Sequence, residues 1–205
     1  MDLTADQPTV RTSEVFRGLT RLGEGDSIPL GTVTQALGDR AFGLLVLIFA
    51  LPNIIPMIPG VSTISGVVIA IVGLQMLIGR RDPWLPAFVA TRSLPRAETA
   101  SMIERTIPWI EKLEAVAKPR AVFMTRGLMR MMIGAMFVLL GVVLALPLSW
   151  IGNFPPGVAL LVMSVGFLEE DGLLVGLGHI LGLLATLLVV VIVGGVIAGA
   201  AWLIG

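Results

Sequence analysis

The residues of this chain with chemistry to offer are polar side chains set inside or beside long apolar stretches. Asn53, Ser62, Thr63, Ser65 and Gln75 lie in or just beyond the segment LPNIIPMIPG (51–60), and Asn153 lies in LPLSWIGNFPPG (146–157). Each proline removes a backbone donor and crowds the preceding turn, so Pro52, Pro56 and Pro59 cannot all sit inside one regular helix. In a membrane such broken backbone is tolerated only where protein or a watery cavity covers it. Its freed carbonyls and helix ends can then bind ions or anionic groups. The plainer role for these side chains is to cap broken helices and bond across a helix bundle.

Three acidic residues, Glu169, Glu170 and Asp171, follow a short apolar limb, Val158 to Leu168. In a solvated vestibule one of them would serve as a proton or cation acceptor; in a plain turn all three would simply be hydrated. Arg80 and Arg81 close an apolar segment, where snorkelling and topology account for them and phosphate or lipid-headgroup binding is the sharper reading. The candidate ion or substrate pathway is therefore Asn53, Ser62, Gln75, Asn153, Glu170 and Asp171, with Arg80 and Arg81 as the candidate headgroup pair. His179 is the single histidine and there is no cysteine, so thiolate and multi-histidine metal sites are excluded and nucleophile–base pairs are nearly absent. No cofactor, metal or catalytic residue is expected, and the chain does not read as an enzyme.

The elements that must position these groups follow from charge distribution. Of 205 residues 56% are hydrophobic and 14% charged, against about 25% charged in an ordinary globular domain. No charged residue occurs within 41–78, 131–168 or 172–205. A crossing helix needs about 20 apolar residues for a core about 30 Å thick, so each block is too long for one upright span and suits a hairpin. The expected fold is an all-α polytopic membrane protein with about five to six transmembrane or re-entrant helices and short amphipathic helices outside the bilayer.

Its expected parts are an amphipathic region (1–40), a first membrane hairpin (41–79) broken at 51–60, and a basic loop (80–130). A second hairpin (131–168) broken at 146–157 and a C-terminal membrane segment (172–205) complete the chain. The last block is either a tight hairpin near Gly194–Gly195 or one long tilted helix. The first limb, Ala41 to Leu51, is too short to cross, so it either starts near Gly31 or is re-entrant. Val15, Phe16, Leu19 and Leu22 share one helical face, and Gly23 to Pro29 reads as a turn. Ile103, Ile107, Ile110, Leu113 and Ala117 form an apolar stripe, lying on the membrane surface or against the bundle, with Pro108 breaking or kinking it. Ten of the 14 Lys and Arg lie between Arg80 and Arg130, which assigns that loop and the N-terminal region to the cytoplasm. The opening MDLTADQPTVRT lacks the pattern of a secretory leader, so insertion is expected to use the internal segments. Zero net charge points to no nucleic-acid partner. The segments Phe49–Pro52 and Leu144–Pro147, each followed by an Asn and a Pro-Gly, indicate an internal repeat whose relative orientation the sequence leaves open.

LPNIIPMIPGVSTISG (51–66), LQMLIGRRDPWLP (74–86) and LEEDGLL (168–174) together resemble the exopolysaccharide synthesis family ExoD, over roughly residues 13–200. Where that family usually carries a basic residue before the Asp-Gly, this chain has Glu170. The resemblance implies a bacterial inner-membrane protein supporting exopolysaccharide production and tolerance of alkaline conditions. Together with the broken segments it sets the expectation of a small proton- or cation-coupled transporter, with a homodimer as its assembly. The alternatives are a non-transporting accessory protein of polysaccharide or lipid-carrier machinery, or one that translocates lipid. Other membrane proteins of polysaccharide synthesis and the lipid bilayer are the expected partners.

Overall fold

The computed structural model describes residues 12–19, 27–54, 60–146 and 150–204. Leu22, Gly23 to Asp26, Pro56, Pro59 and Pro147 lie outside them, as do the side chains of Phe16, Leu19, Ile103 and Trp109. In chain order the elements are α1 (Thr12–Leu19), β1 (Ser27–Pro29), α2 (Leu30–Leu37) and α3 (Arg40–Ala50) with a 3-10 turn Leu51–Asn53. Next come α4 (Val61–Leu77), α5 (Ala87–Ala90), β2 (Ser93–Pro95) and α6 (Arg96–Val116). A 3-10 turn Val122–Thr125, α7 (Gly127–Ala145), α8 (Trp150–Leu168) and α9 (Gly172–Ile204) follow. Two short strands were not expected. Ser27 to Pro29, the end of the anticipated turn, pairs antiparallel with Ser93 to Pro95 and ties the N-terminal region to the basic loop.

The bundle is organised by glycine. On α4, Gly66 and Gly73 are seven residues apart, two turns along one face, and Gly134 and Gly141 repeat that spacing on α7. The helices run antiparallel, so Gly66 meets Gly141 and Gly73 meets Gly134. A Cβ built on Gly66 would lie 2.5 Å from the Gly141 carbonyl oxygen, and one on Gly73 would lie 2.7 Å from that of Gly134. Backbone therefore rests on backbone at two levels, the arrangement that small residues permit between membrane helices. Gly43 of α3 sits against α8 at the Ser164 carbonyl, and Gly178 of α9 sits on the backbone of Met163 in α8. Between the helices Phe42, Val46, Ile69, Met76, Ile133, Phe137, Leu140, Leu144, Leu160 and Met163 form one buried core.

The outward faces are apolar too. On α4, Ile64, Val67, Ile71, Leu74 and Ile78 recur at helical spacing and are about half exposed or more. Water would oppose such a surface and a bilayer would accept it. Among the described residues two helices can cross a membrane by length and composition, Gly127–Ala145 and Gly172–Trp202. A third span results if the pair Leu30–Leu37 and Arg40–Asn53 counts as one, but it is bent by 115°. Gly38, with φ +54°, supplies the bend by adopting a backbone conformation that a Cβ disfavours. The apolar helices α4 and Gly152–Leu168 of α8 are shorter. Among the described residues, two full-length spans, or three with the bent pair, stand beside these shorter apolar helices.

Three open points are resolved. The last apolar block is one continuous helix, since Gly194 and Gly195 lie inside α9. The break at 146–157 is narrower than expected, because α8 begins at Trp150 and carries Pro155 and Pro156 within it. The stripe of α6 turns toward the protein: Ile110 is buried with Leu37 and Ala41, with Val15 and Ile107 packed around them. The helix runs through Pro108, which is exposed, rather than ending there.

Gly66→Ala is expected to destabilise the bundle by about 1–3 kcal/mol, the usual cost of overpacking, because its methyl meets backbone that cannot yield. Gly194→Ala, with no atom within 4 Å of the new methyl, is expected to be neutral. Thermal unfolding of both variants in the same detergent checks the contrast.

Candidate functional site

The charged residues that flank the apolar blocks converge at one end of the bundle. The start of α3 (Asp39, Arg40), the end of α4 (Met76, Arg80), the start of α7 (Arg126, Arg130) and the α8–α9 turn (Glu169 to Asp171) all meet there. Both hairpins, α3–α4 and α7–α8, therefore leave from and return to the same face.

Arg130 is central to this end. Its side chain is 10% exposed and bonds the Asp39 carboxylate at 2.9 Å. It also donates to the carbonyls of Arg80 and, at 3.5 Å, Met76, and its guanidinium lies 5.3 Å from the Phe42 ring centre. A buried cation needs such partners. Here they come from α3, from the end of α4 and from the segment that follows it. Glu170, in a left-handed conformation at φ +53°, bonds Arg126 at 3.0 Å and faces Arg40 at 4.0 Å.

Asp171 is a cap. It is 2% exposed, and its Oδ1 accepts from the backbone of Leu173 and Leu174 in the first turn of α9 while Oδ2 accepts from Lys118. A carboxylate so placed satisfies orphan donors and favours the helix dipole. Glu114 of α6 does the same for α1, accepting from the Ser13 backbone at 2.8 Å and the Ser13 hydroxyl at 3.1 Å.

Glu169 differs from its neighbours. It is 7% exposed, and its Oε1 is buried without a hydrogen-bond partner. Burial is the main force raising its pKa from 4.5 to about 7, and the like charges of Glu114 and Glu170 add to it against the Thr12 hydrogen bond and Arg40. Glu169 lines an open cleft of about 800 Å³ walled by Ser13, Arg17, Arg40, Glu114, Lys118 and Glu170. A carboxyl near its titration point, beside water, can exchange a proton at neutral pH.

The remaining sequence candidates do not gather here. Asn53 and Asn153 lie at the opposite end, both buried. Asn53 folds back to donate to the Phe49 carbonyl at 2.8 Å, leaving Oδ1 buried without a partner. Gly157, one turn beyond Asn153 on α8, packs against the Asn53 Cβ, so the two broken segments are neighbours. Gln75 is occupied by the Trp84 backbone, accepting from its N–H at 2.5 Å and donating to its carbonyl at 3.3 Å. Ser62 is half-buried in the first turn of α4, and Arg80 and Arg81 are exposed. His179 bonds the Val175 carbonyl one turn back at 2.9 Å. Among the described residues no cluster of three His, Cys, Asp or Glu side chains could hold a metal. Sequence reasoning did not single out Arg130, Asp39 or Glu114, gave Thr12 only a capping role, and ranked Glu170 and Asp171 above Glu169. The available signal was position: each of Asp39, Arg40 and Arg130 stands at the edge of a charge-free block.

The sequence model of the family described as "Exopolysaccharide synthesis, ExoD" matches residues 12–191. Protein ExoD of Rhizobium meliloti (strain 1021) is 33% identical over 171 residues, covering 82% of this chain and 71% of that protein. A protein of Synechocystis sp. (strain ATCC 27184 / PCC 6803 / Kazusa), slr1875, is 28% identical over 171 residues, covering 82% of this chain and 80% of its own length. No solved structure matches.

The folded chain holds a proton on Glu169 that the unfolded chain releases. Stability from this group is full below pH 4.5, falls as pH rises through the window up to about 7, and is level above it. Glu169→Gln is expected to remove that slope and to raise the melting temperature at pH 8. Removing the α9 cap in Asp171→Ala is expected to cost about 1–3 kcal/mol, whereas Glu170→Gln, which loses a partly exposed pair, costs about 1 kcal/mol or less. Melting curves of the detergent-solubilised variants across pH 4 to 9 read all three.

Proposed function

The chain belongs to the ExoD family of exopolysaccharide synthesis proteins, and on that premise we propose a small proton-coupled transporter of the bacterial inner membrane. The observation that carries this reading is Glu169, a buried carboxyl poised near neutral pH at the wall of a cleft open to water. Such a group takes up and releases protons within the physiological range, which coupling requires. The charged end, where Lys118, Arg126 and Arg130 of the basic stretch stand with Arg40, faces the cytoplasm on the positive-inside argument. The short apolar hairpins α3–α4 and α7–α8 act as broken or re-entrant membrane segments. Their shared direction makes any repeat between them a parallel one rather than an inverted one. Asn53, with its unmet amide oxygen, and Asn153 form the far end of the pathway, and Glu169 joins Glu170 at the near end. A homodimer would supply the pathway surface that one small protomer lacks.

A second reading has its own support. Phe42, Val46, Leu160, Met163 and Phe167 fill the interior between the cleft and Asn53. Transport therefore requires the hairpins to move, and a protein whose interior stays packed would instead serve polysaccharide or lipid-carrier machinery through its charged end.

Proton flux into proteoliposomes, followed with a pH-sensitive dye across several cations and small solutes, separates the two. Flux above that of empty liposomes is expected, falling at least about tenfold in Glu169→Gln, the loss typical of removing a positioned proton-transfer group. Asn53→Ala is expected to reduce it as well. Correctly folded protein whose flux equals that of empty liposomes would overturn the transport reading.

A further inference from the structure

We propose that α1 is a latch across the cleft, docked on the bundle while Glu169 carries a proton and released when Glu169 ionises. The inference rests on Glu169 lining the cleft and not on movement of any solute.

The eight residues of α1 are too few to form a helix alone in water, where about 12–15 are needed, so α1 is helical because it is docked. Its anchors among the described side chains are Thr12, Ser13, Val15 and Arg17. The Thr12 hydroxyl, fully buried, donates to the Leu168 carbonyl at 3.3 Å, and Ser13 makes its two bonds to Glu114. Val15 packs beside Leu37, Ala41 and Ile110. Arg17 pairs with Glu111 at 2.5 Å, but both side chains are half exposed and such pairs contribute little. A helix docked over a buried carboxyl is sensitive to the charge of that group.

That charge is Glu169. The groups facing it are Thr12 of α1, Glu114 of α6, Arg40 of α3 and its own neighbour Glu170. Around the cleft stand Glu14 and Arg17 of α1, Glu111 of α6 and Lys118 after it. When protonated, Glu169 is neutral and tolerates burial beneath α1, and Thr12 donates to Leu168. When ionised, Glu169 accepts the Thr12 hydrogen, but burial, the larger effect, opposes the charge until α1 lifts and admits water. The new negative charge also opposes Glu114, whose own charge holds Ser13, and Arg40 is shared with Glu170. The main cost of ionisation is that of keeping this charge buried under α1. The raised pKa of Glu169 puts the transition near neutral pH.

The chain has no cysteine, so single thiols report docking without background. Val15→Cys places a thiol under docked α1, and Glu14→Cys, at an exposed neighbour, calibrates how thiol reactivity itself changes with pH. Maleimide labelling of the full chain in lipid nanodiscs is followed from pH 5.5 to 8.5. The labelling rate of Val15→Cys relative to Glu14→Cys is expected to rise about tenfold between pH 6 and pH 8, as a group titrating near 7 changes its ionised fraction. In the Glu169→Gln background the ratio is expected to stay at its low-pH value. Thr12→Val, which keeps the shape and removes the hydroxyl, is expected to raise the ratio at pH 6. An equal rise in the Gln background, a flat low ratio, or a ratio near one at every pH would each overturn the latch. Labelling needs no flux, so the latch and the transport reading succeed or fail separately.

Discussion

Backbone-to-backbone contact between α4 and α7 is the constraint on which the rest of the structure depends. Gly66 against Gly141 and Gly73 against Gly134 place the two helices so close that no side chain fits between them at either level. In a bilayer, association between apolar helices gains little from hydrophobicity, and close packing must supply the attraction. Two contacts two turns apart also define the register, since a slide by one residue would set a methyl against a carbonyl. With α4 and α7 locked, the hairpins they belong to are placed, and α3 and α8 close the remaining sides.

That register has a consequence at the charged end. It brings the end of α4 level with the start of α7, so that Arg130 reaches the carbonyls of Met76 and Arg80 and the carboxylate of Asp39. A buried guanidinium with such partners in turn opposes any slide of the hairpins, because leaving it unpaired is costly. The glycine contacts and the arginine cluster thus hold the same register by different physics, one by shape and one by charge. Between them they leave the α8–α9 turn in a crowded acidic setting. Asp171 is absorbed as a helix cap, Glu170 is neutralised by arginines, and Glu169 receives too little compensation and titrates high.

The surroundings of Glu169 explain why three successive acids behave differently. Position in the sequence distinguishes them hardly at all. Helix geometry points Asp171 into the first turn of α9, and the left-handed backbone at Glu170 turns that side chain toward Arg126. Glu169 ends α8 under Thr12, where α1 crosses. The cleft beside it is a product of separate segments, α1, the start of α3, α6 with the residues after it, and the α8–α9 turn.

Sequence by itself determined the helical membrane class, because charge-free blocks of such length admit few other fates. It also determined the ExoD family, through LPNIIPMIPG and GRRDPW, and the apolar stripe of α6 from its spacing, though not which surface the stripe faces. It located the break that follows α3 at Asn53, which proline makes visible locally, but it extended the second break over Asn153, which lies within α8. It did not distinguish a hairpin from one helix in 172–205, because glycine pairs are compatible with both. It gave no sign of the β1–β2 ribbon, whose partners lie more than sixty residues apart. Nor did it separate Glu169 from Glu170 and Asp171, or reveal that Arg130 and Asp39 form a pair. Those are properties of distance, burial and mutual charge, and only the tertiary structure brings the distant segments together that create them.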